Sequence, residues 1–290
     1  MSWLRNAAGA LTAAASTAGV LAARKHLPGA AKFDRTNHKG EQVTLLEGPA
    51  YTTGAIAGIA IGDVESPHVR AAALLATVGA GAFGAVDDLA ERGSSKGLRG
   101  HIGALVRGEL TTGALKVLGI SAAGIASAAL VLDKDPKTSV AGHLADIVVA
   151  GGVVAGSANL FNLLDLRPGR ALKAAIGTGA LQAGYAGLKG GDPNAGLLSA
   201  TAGAIAGSWK SDLSSRSMLG DSGANAAGAL LGVHTICTAP RWVRAAALAG
   251  IVGLTLASEK VSFTKVIEST PVLRDVDAWG RGVPRHSAGS

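Results

Sequence analysis

The stretch Ser139–Leu164, SVAGHLADIVVAGGVVAGSANLFNLL, decides how this chain is read. It is apolar almost throughout, and Asp146 is its one carboxylate. A bilayer core takes about 20 predominantly apolar residues per helix, and this stretch meets that length. Its glycines and alanines lie among valines, the composition that lets helix backbones approach closely in lipid. Comparable runs occur near residues 5–24, 48–63, 69–86, 111–132, 170–188, 194–208, 222–238 and 242–257, with the second and seventh of the nine runs short. The whole chain agrees: 48% of it is hydrophobic and only 16% is charged, against about 25% charged in soluble domains. The expected fold is all-α, a polytopic membrane bundle of about nine transmembrane helices over residues 1–257, followed by a cytoplasmic tail over 258–290. The first run also has the look of a signal peptide, but Arg24 and Lys25 follow it instead of preceding it, which favours a span.

Lysine and arginine favour cytoplasmic loops. One set of alternate loops carries Arg24, Lys25, Lys32, Arg35, Lys39, then Arg92, Lys96, Arg99, Arg107, then Arg167, Arg170, Lys173, then Lys210, Arg216, and a tail with Lys260, Lys265, Arg274, Arg281 and Arg285. The opposite set holds Arg5, Arg70, Lys134, Lys137, Lys189, Arg241 and Arg244. The expected topology therefore has the amino terminus outside and the carboxyl terminus in the cytoplasm. The net charge of +7 does not argue for nucleic acid, because the basic residues are spread between apolar runs and few aromatics are present to stack on bases. A single cysteine, Cys237, rules out an internal disulfide or a cysteine metal cluster.

The polar residues that need an explanation gather on the expected cytoplasmic side. Asp87 and Asp88 end the third run, Asn159, Asn162 and Asp165 end the fifth, and Asp221 opens the eighth. Singly, each fits a solvated helix end or a cap. Together they are oxygen ligands from three runs, and oxygen ligands suit Mg²⁺, which is held by one or two carboxylates plus substrate phosphates. Lys96 and Arg99 follow the Asp pair, Arg167 and Arg170 follow Asp165, and Lys116 lies inside the fourth run, where a lysine has to face protein, water or the interface.

Three strings carry a resemblance: the Asp87-Asp88 pair followed by KGL at Lys96–Leu98, N-x-x-N-x-x-D at Asn159–Asp165, and M-L-G-D-x-G-A-N at Met218–Asn225. In that order, with RTNHKGEQVTLLEGPAYTTGA at Arg35–Ala55, they resemble the polyprenyl-phosphate N-acetylhexosamine-1-phosphate transferase superfamily, which includes the phospho-N-acetylmuramoyl-pentapeptide translocase. The resemblance covers residue 35 to the carboxyl end. It implies a Mg²⁺-dependent transferase of the bacterial cytoplasmic membrane that moves a phospho-sugar from a UDP-sugar to a polyprenyl phosphate and releases UMP, with a homodimer open to it. By the same resemblance Asp87, Asp88 and Asp221 are the catalytic set and Asp221 and Asp88 hold the metal. Lys96, Lys116, Asn159, Asn162, Asp165 and Arg170 contact substrate.

The chain departs from the family in two places. The family continues its asparagine string as D-G-x-D-G-L, whereas Asp165 is followed by Leu166, Arg167, Pro168, Gly169 and Arg170, and the family's histidine-rich loop has no counterpart in EKVSFTKVIESTPVLRDVDAWGR. A non-catalytic relative that binds lipid phosphate as an envelope scaffold is the competing expectation. A transporter would place its ionisable residues near the midplane, which this pattern does not. The G-x-G-x-x-G string at Gly79, Gly81 and Gly84 lacks the strand and the distant acid of a dinucleotide site, so close helix packing is the expectation. His143 with Asp146, and His234 with Cys237, are read as structural pairs, and His101 as solvated surface. The 259–280 segment alternates apolar and charged residues and is expected to form a membrane-surface helix that turns Phe263, Val266, Ile267 and Leu273 inward.

Overall fold

The computed structural model describes residues 2–36, 40, 42–90 and 111–281. Lys39, Arg92, Lys96, Arg99, His101, Arg107, Arg285 and His286 lie outside the described residues.

Eleven α-helices make up most of the described chain: α1 (Ser2–Ala22), α2 (Glu47–Ile61), α3 (Pro67–Ala90), α4 (Thr112–Val131), α5 (Val140–Leu164), α6 (Arg170–Leu188), α7 (Ala195–Leu213), α8 (Gly220–Thr238), α9 (Arg241–Ser258), α10 (Phe263–Ser269) and α11 (Pro271–Ala278). The first nine fall on the nine apolar runs. Local chemistry sets their limits. Thr111 and Ser139 accept the Ala114 and Gly142 amides as N-caps of α4 and α5, and prolines open α3 and α11. The all-α expectation needs one correction: β1 (Asp34–Thr36) and β2 (Gln42–Thr44) form an antiparallel hairpin, with Arg35 opposite Val43.

By length and composition α3, α4 and α5 are able to cross a membrane, and α9 with α10 makes a fourth if that pair, bent by 94°, is counted as one span. The other helices are shorter or diluted by serine, threonine and glycine. At 15 residues, α2 is only about 22 Å long at 1.5 Å per residue.

Successive helices run up and down, so the bundle has two polar ends. At one end the hairpin, the C-termini of α3, α5 and α7 and the N-termini of α2, α4, α6 and α8 meet. At the other, Asn6 accepts the Asp63 amide at 2.9 Å, Asn194 accepts the Glu65 amide at 3.0 Å, and Asp146 pairs with Arg241 at 2.5 Å. Asp146 thus answers to Arg241, not to His143 as expected from spacing.

The central element is α8, with 14 of its 19 residues buried. It packs chiefly on α3 and α5, while α4 fills the angle between those two, α1 packs on α2 and α7, and α9 packs on α5. Gly228 and Gly232 are one turn apart and permit the α5 contact, because a Cβ on them would stand 2.8 Å from the Cα of Ala158 and of Val154 respectively. The glycine string on α3 does the same work: a Cβ on Gly84 would lie 2.7 Å from the Ser222 Cα, and Ser222 donates to the Gly81 carbonyl at 2.9 Å.

Gly228→Leu should therefore lower the melting midpoint of the detergent-solubilised protein by roughly 5 °C or more, the order of an overpacked core. Gly250→Leu, at a position where a Cβ meets nothing within 4 Å, should leave it unchanged.

Candidate functional site

The site begins where α3 stops against the start of α8. Asp88 is buried, and its two carboxylate oxygens each accept an amide of the first turn of α8, Asp221 N–H on Oδ1 and Ser222 N–H on Oδ2, both at 3.0 Å. A carboxylate at a helix N-terminus satisfies unpaired amides and opposes the positive end of the dipole. Gly220, which precedes these amides, has φ +58° and a Cβ there would stand 3.0 Å from the Asp88 carboxylate, so glycine is required on both counts. Arg35 of the hairpin donates to the Asp88 main-chain carbonyl, closing the C-terminus of α3. Expected as a metal ligand, Asp88 spends its carboxylate on the backbone of α8 instead.

Asp87, one residue earlier, faces the other way. Its Oδ2 is 2.5 Å from the Lys116 ammonium, and the same ammonium bonds to Asp221 Oδ2. The two carboxyls also lie within hydrogen-bonding reach of each other, and the Thr112 hydroxyl reaches Asp87. Three helices thus bring two acids around one cation in a mostly buried setting. Like charges in contact are tolerable only with a cation between them, and Lys116 supplies it.

A cavity of about 330 Å³ opens beside this cluster between α4, α5, α8 and α9. Lys116, Asn159 and Asn225 form its polar end, and Ile120, Leu248, Ile251 and Leu256 line its apolar length. The Asn225 amide nitrogen is buried with no hydrogen-bond partner among the described residues, an unspent donor on a residue that lines the same cavity as Lys116. Asn225 was missed as a site residue although it stands in the quoted M-L-G-D-x-G-A-N string. The signal was there, and what lacked was knowledge of which way its side chain turns.

Asp165 caps α5 and accepts the Gly220 amide, so two carboxylates serve the start of α8. Burial, and next the charge of Asp212, push the Asp165 carboxyl well above the usual range. Glu47 and Asp212 complete a second buried acid group, with Ser217 donating to Glu47 and the Gly169 amide donating to Asp212 at 3.2 Å. Neither acid stood out in the sequence, since each closes or opens a helix like any solvated end. Asn162 is half-buried one turn beyond Asn159 and does not line the cavity.

Arg170, expected to contact substrate, is buried and held elsewhere. Its Nε and Nη2 bond to the two Asp277 oxygens at 2.8 and 3.1 Å, and its Nη1 to the Thr264 hydroxyl at 2.9 Å. Arg281 also pairs with Asp277 and donates to the Pro168 carbonyl at 3.1 Å. Burial acts to raise the Asp277 carboxyl, but the two guanidinium groups outweigh it and hold it below the ordinary range. The tail is therefore two short helices tied to the bundle through Arg170, not the single membrane-surface helix expected over 259–280. Phe263 and Ile267 are partly covered, while Val266 and Leu273, expected inside, are exposed. His234, likewise, takes its partner from the α6–α7 loop: its Nε2 lies 2.9 Å from Asp192, not against Cys237.

No protein-family model matches this chain, and no match is found among curated proteins. Among the described residues no group of three or more His, Cys, Asp or Glu is arranged to hold a metal ion. A Mg²⁺ ion, however, takes only one or two carboxylates and completes its shell with water and phosphate. Asp87 and Asp221 fit that pattern, with the Lys116 ammonium already between them as a stand-in cation, and Asp88 does not.

Asp277→Ala leaves Arg170 buried without its carboxylate and should cost on the order of 3 kcal/mol in unfolding free energy. Removing the exposed Arg274–Asp275 pair should cost less than about 1 kcal/mol. The sign with pH follows from the lowered carboxyl: the Asp277 contribution is complete above the usual Asp value of about 3.9 and is lost as pH falls through the lower folded value. Melting against pH checks this, with a weaker acid dependence in Asp277→Ala.

Proposed function

We propose that this chain is a multi-pass protein of the bacterial cytoplasmic membrane that transfers a phospho-sugar from a UDP-sugar to a polyprenyl phosphate, releasing UMP. The observation that carries the reading is the apolar cavity ending at Lys116, Asn159 and Asn225 beside the Asp87–Lys116–Asp221 cluster. An apolar groove that runs into a cation and amide donors matches an amphiphile with a prenyl chain and a phosphate head. In this reading the first nine helices cross the bilayer with the amino terminus outside and the site end in the cytoplasm, in line with the basic residues Arg24, Lys32, Arg35, Arg167 and Arg216 on that end.

In the reaction, an oxygen of the lipid phosphate attacks the sugar-bearing phosphorus of the UDP-sugar. A new P–O bond forms as the diphosphate P–O bond breaks, and UMP leaves with the electron pair. Such a displacement needs positioning and charge stabilisation more than covalent help. Lys116 and Asn225 orient the lipid phosphate, Asp87 accepts its proton where it carries one, and Asp221 is aimed by the amides that Asp88 and Asp165 hold. Asp87 and Asp221 would hold Mg²⁺, which when bound would supply charge to offset that of the diphosphate. All of these residues belong to one chain, so a homodimer is compatible with the site and is not needed to complete it.

The second reading, a non-catalytic lipid-phosphate binder, has Arg170 on its side, because the tail occupies the guanidinium that the resemblance assigns to substrate. Purified protein in nanodiscs, given polyprenyl phosphate, Mg²⁺ and a panel of UDP-sugars, separates the two by UMP release. Turnover that falls at least about 10²-fold in Asp221→Ala and Lys116→Ala fits the transferase. Lipid phosphate binding without UMP from any donor favours the binder, and loss of both refutes the proposal.

A further inference from the structure

Apart from a ring contact between Trp279 and Trp209, the tail carries a face that the bundle leaves uncovered. On α11, Val272, Leu273 and Val276 are 72, 46 and 54% exposed, and Trp279 at its C-cap is 65% exposed. Their spacing of one, four and seven residues places them within an arc of about 120° at 3.6 residues per turn. Asp277 lies outside that arc and is buried against Arg170, so the helix cannot roll to hide its apolar side without breaking that ion pair. Val272, Leu273 and Val276, held outward side by side, form the kind of contiguous exposed apolar patch that marks a protein or membrane contact.

We propose that this face of α11 is seated in the headgroup and acyl boundary of the bilayer, holding the tail as a foot on the same membrane face as the acid cluster. The occupant is lipid for three reasons. First, α9, the helix that leads into the tail, exposes Val252 and Leu256 on one face and Leu254 on the opposite one. Second, the chain bends by 94° between α9 and α10, so if α9 stands along the membrane normal, α10 lies in the membrane plane. Third, a tryptophan at the end of an amphipathic helix, with Lys260 and Lys265 on the same segment, is the composition of an interfacial anchor. The Trp279 ring also touches that of Trp209 at 5.7 Å, which keys the foot to the C-terminal part of α7. The proposal rests on the membrane reading and not on the transferase chemistry.

The test uses the full chain in nanodiscs with Cys237→Ala as background and a nitroxide placed singly through Val276→Cys, Val272→Cys, Asp275→Cys or Val148→Cys. Val148, on α5 and 59% exposed, reports the bilayer itself. Accessibility to oxygen, which partitions into lipid, is compared with that to a water-soluble nickel chelate. The expected result is an oxygen-to-nickel ratio at 272 and 276 at least about threefold above that at 275, approaching the value at 148. A water-like ratio at 276 with a lipid-like one at 148 overturns the foot and leaves the membrane reading standing. A water-like ratio at both overturns the membrane reading. Shielding of 276 from both reagents also overturns the proposal, since a second copy or another protein then covers the face.

Discussion

The N-terminus of a buried helix is a cluster of unpaired amides with partial positive charge, and α8 places one among the helix ends at the site end of the bundle. Asp88 takes two of those amides and Asp165 takes a third. Once they do, the backbone of Asp221 has no freedom left, and its side chain is delivered to Lys116 and Asp87. The glycines that let α3 and α5 reach α8 follow from the same demand, since a carboxylate on α3 reaches the start of α8 only if the two backbones nearly touch. Packing, capping and the candidate site are one arrangement seen at three scales.

Charge is the second constraint. The site end gathers Glu47, Asp87, Asp88, Asp165, Asp212 and Asp221, and the structure answers them in two ways. Toward the cavity, the Lys116 ammonium bridges Asp87 and Asp221. Deeper in, backbone amides and the Ser217 hydroxyl satisfy the acids one oxygen at a time, leaving Glu47 Oε1, Asp165 Oδ1 and Asp212 Oδ2 without partners among the described residues. Only the first group borders the apolar cavity, which is why it carries the functional reading. The tail adds a third arrangement, Asp277 between Arg170 and Arg281, and so removes Arg170 from the substrate side.

Helices were legible because composition and punctuation agree locally. The run expected at 170–188 is Arg170–Leu188, and that expected at 139–164 is Val140–Leu164 with Ser139 as its cap. Convergence of Asp87 with Asp221 was legible too, since alternate ends of up-and-down helices share a side. Partners were not. Nothing near Asp88 distinguishes a metal ligand from a helix cap, because the amides it binds are more than 130 residues away. Arg170 with Asp277 and His234 with Asp192 are the same case. The hairpin at Asp34–Thr44 escaped notice because three-residue strands are too short for a period of two to register.

The central claim is that the apolar cavity leads an amphiphile's phosphate to Lys116. Photo-crosslinking with a polyprenyl phosphate that carries a diazirine on its chain tests it directly, read by mass spectrometry of the purified protein in nanodiscs. Labelling of the α4, α5 and α9 segments that line the cavity, lost on adding unmodified polyprenyl phosphate and weakened in Lys116→Ala, is the result expected. Label spread over the outer surfaces of α1 and α6, insensitive to competitor and to Lys116, would contradict the account.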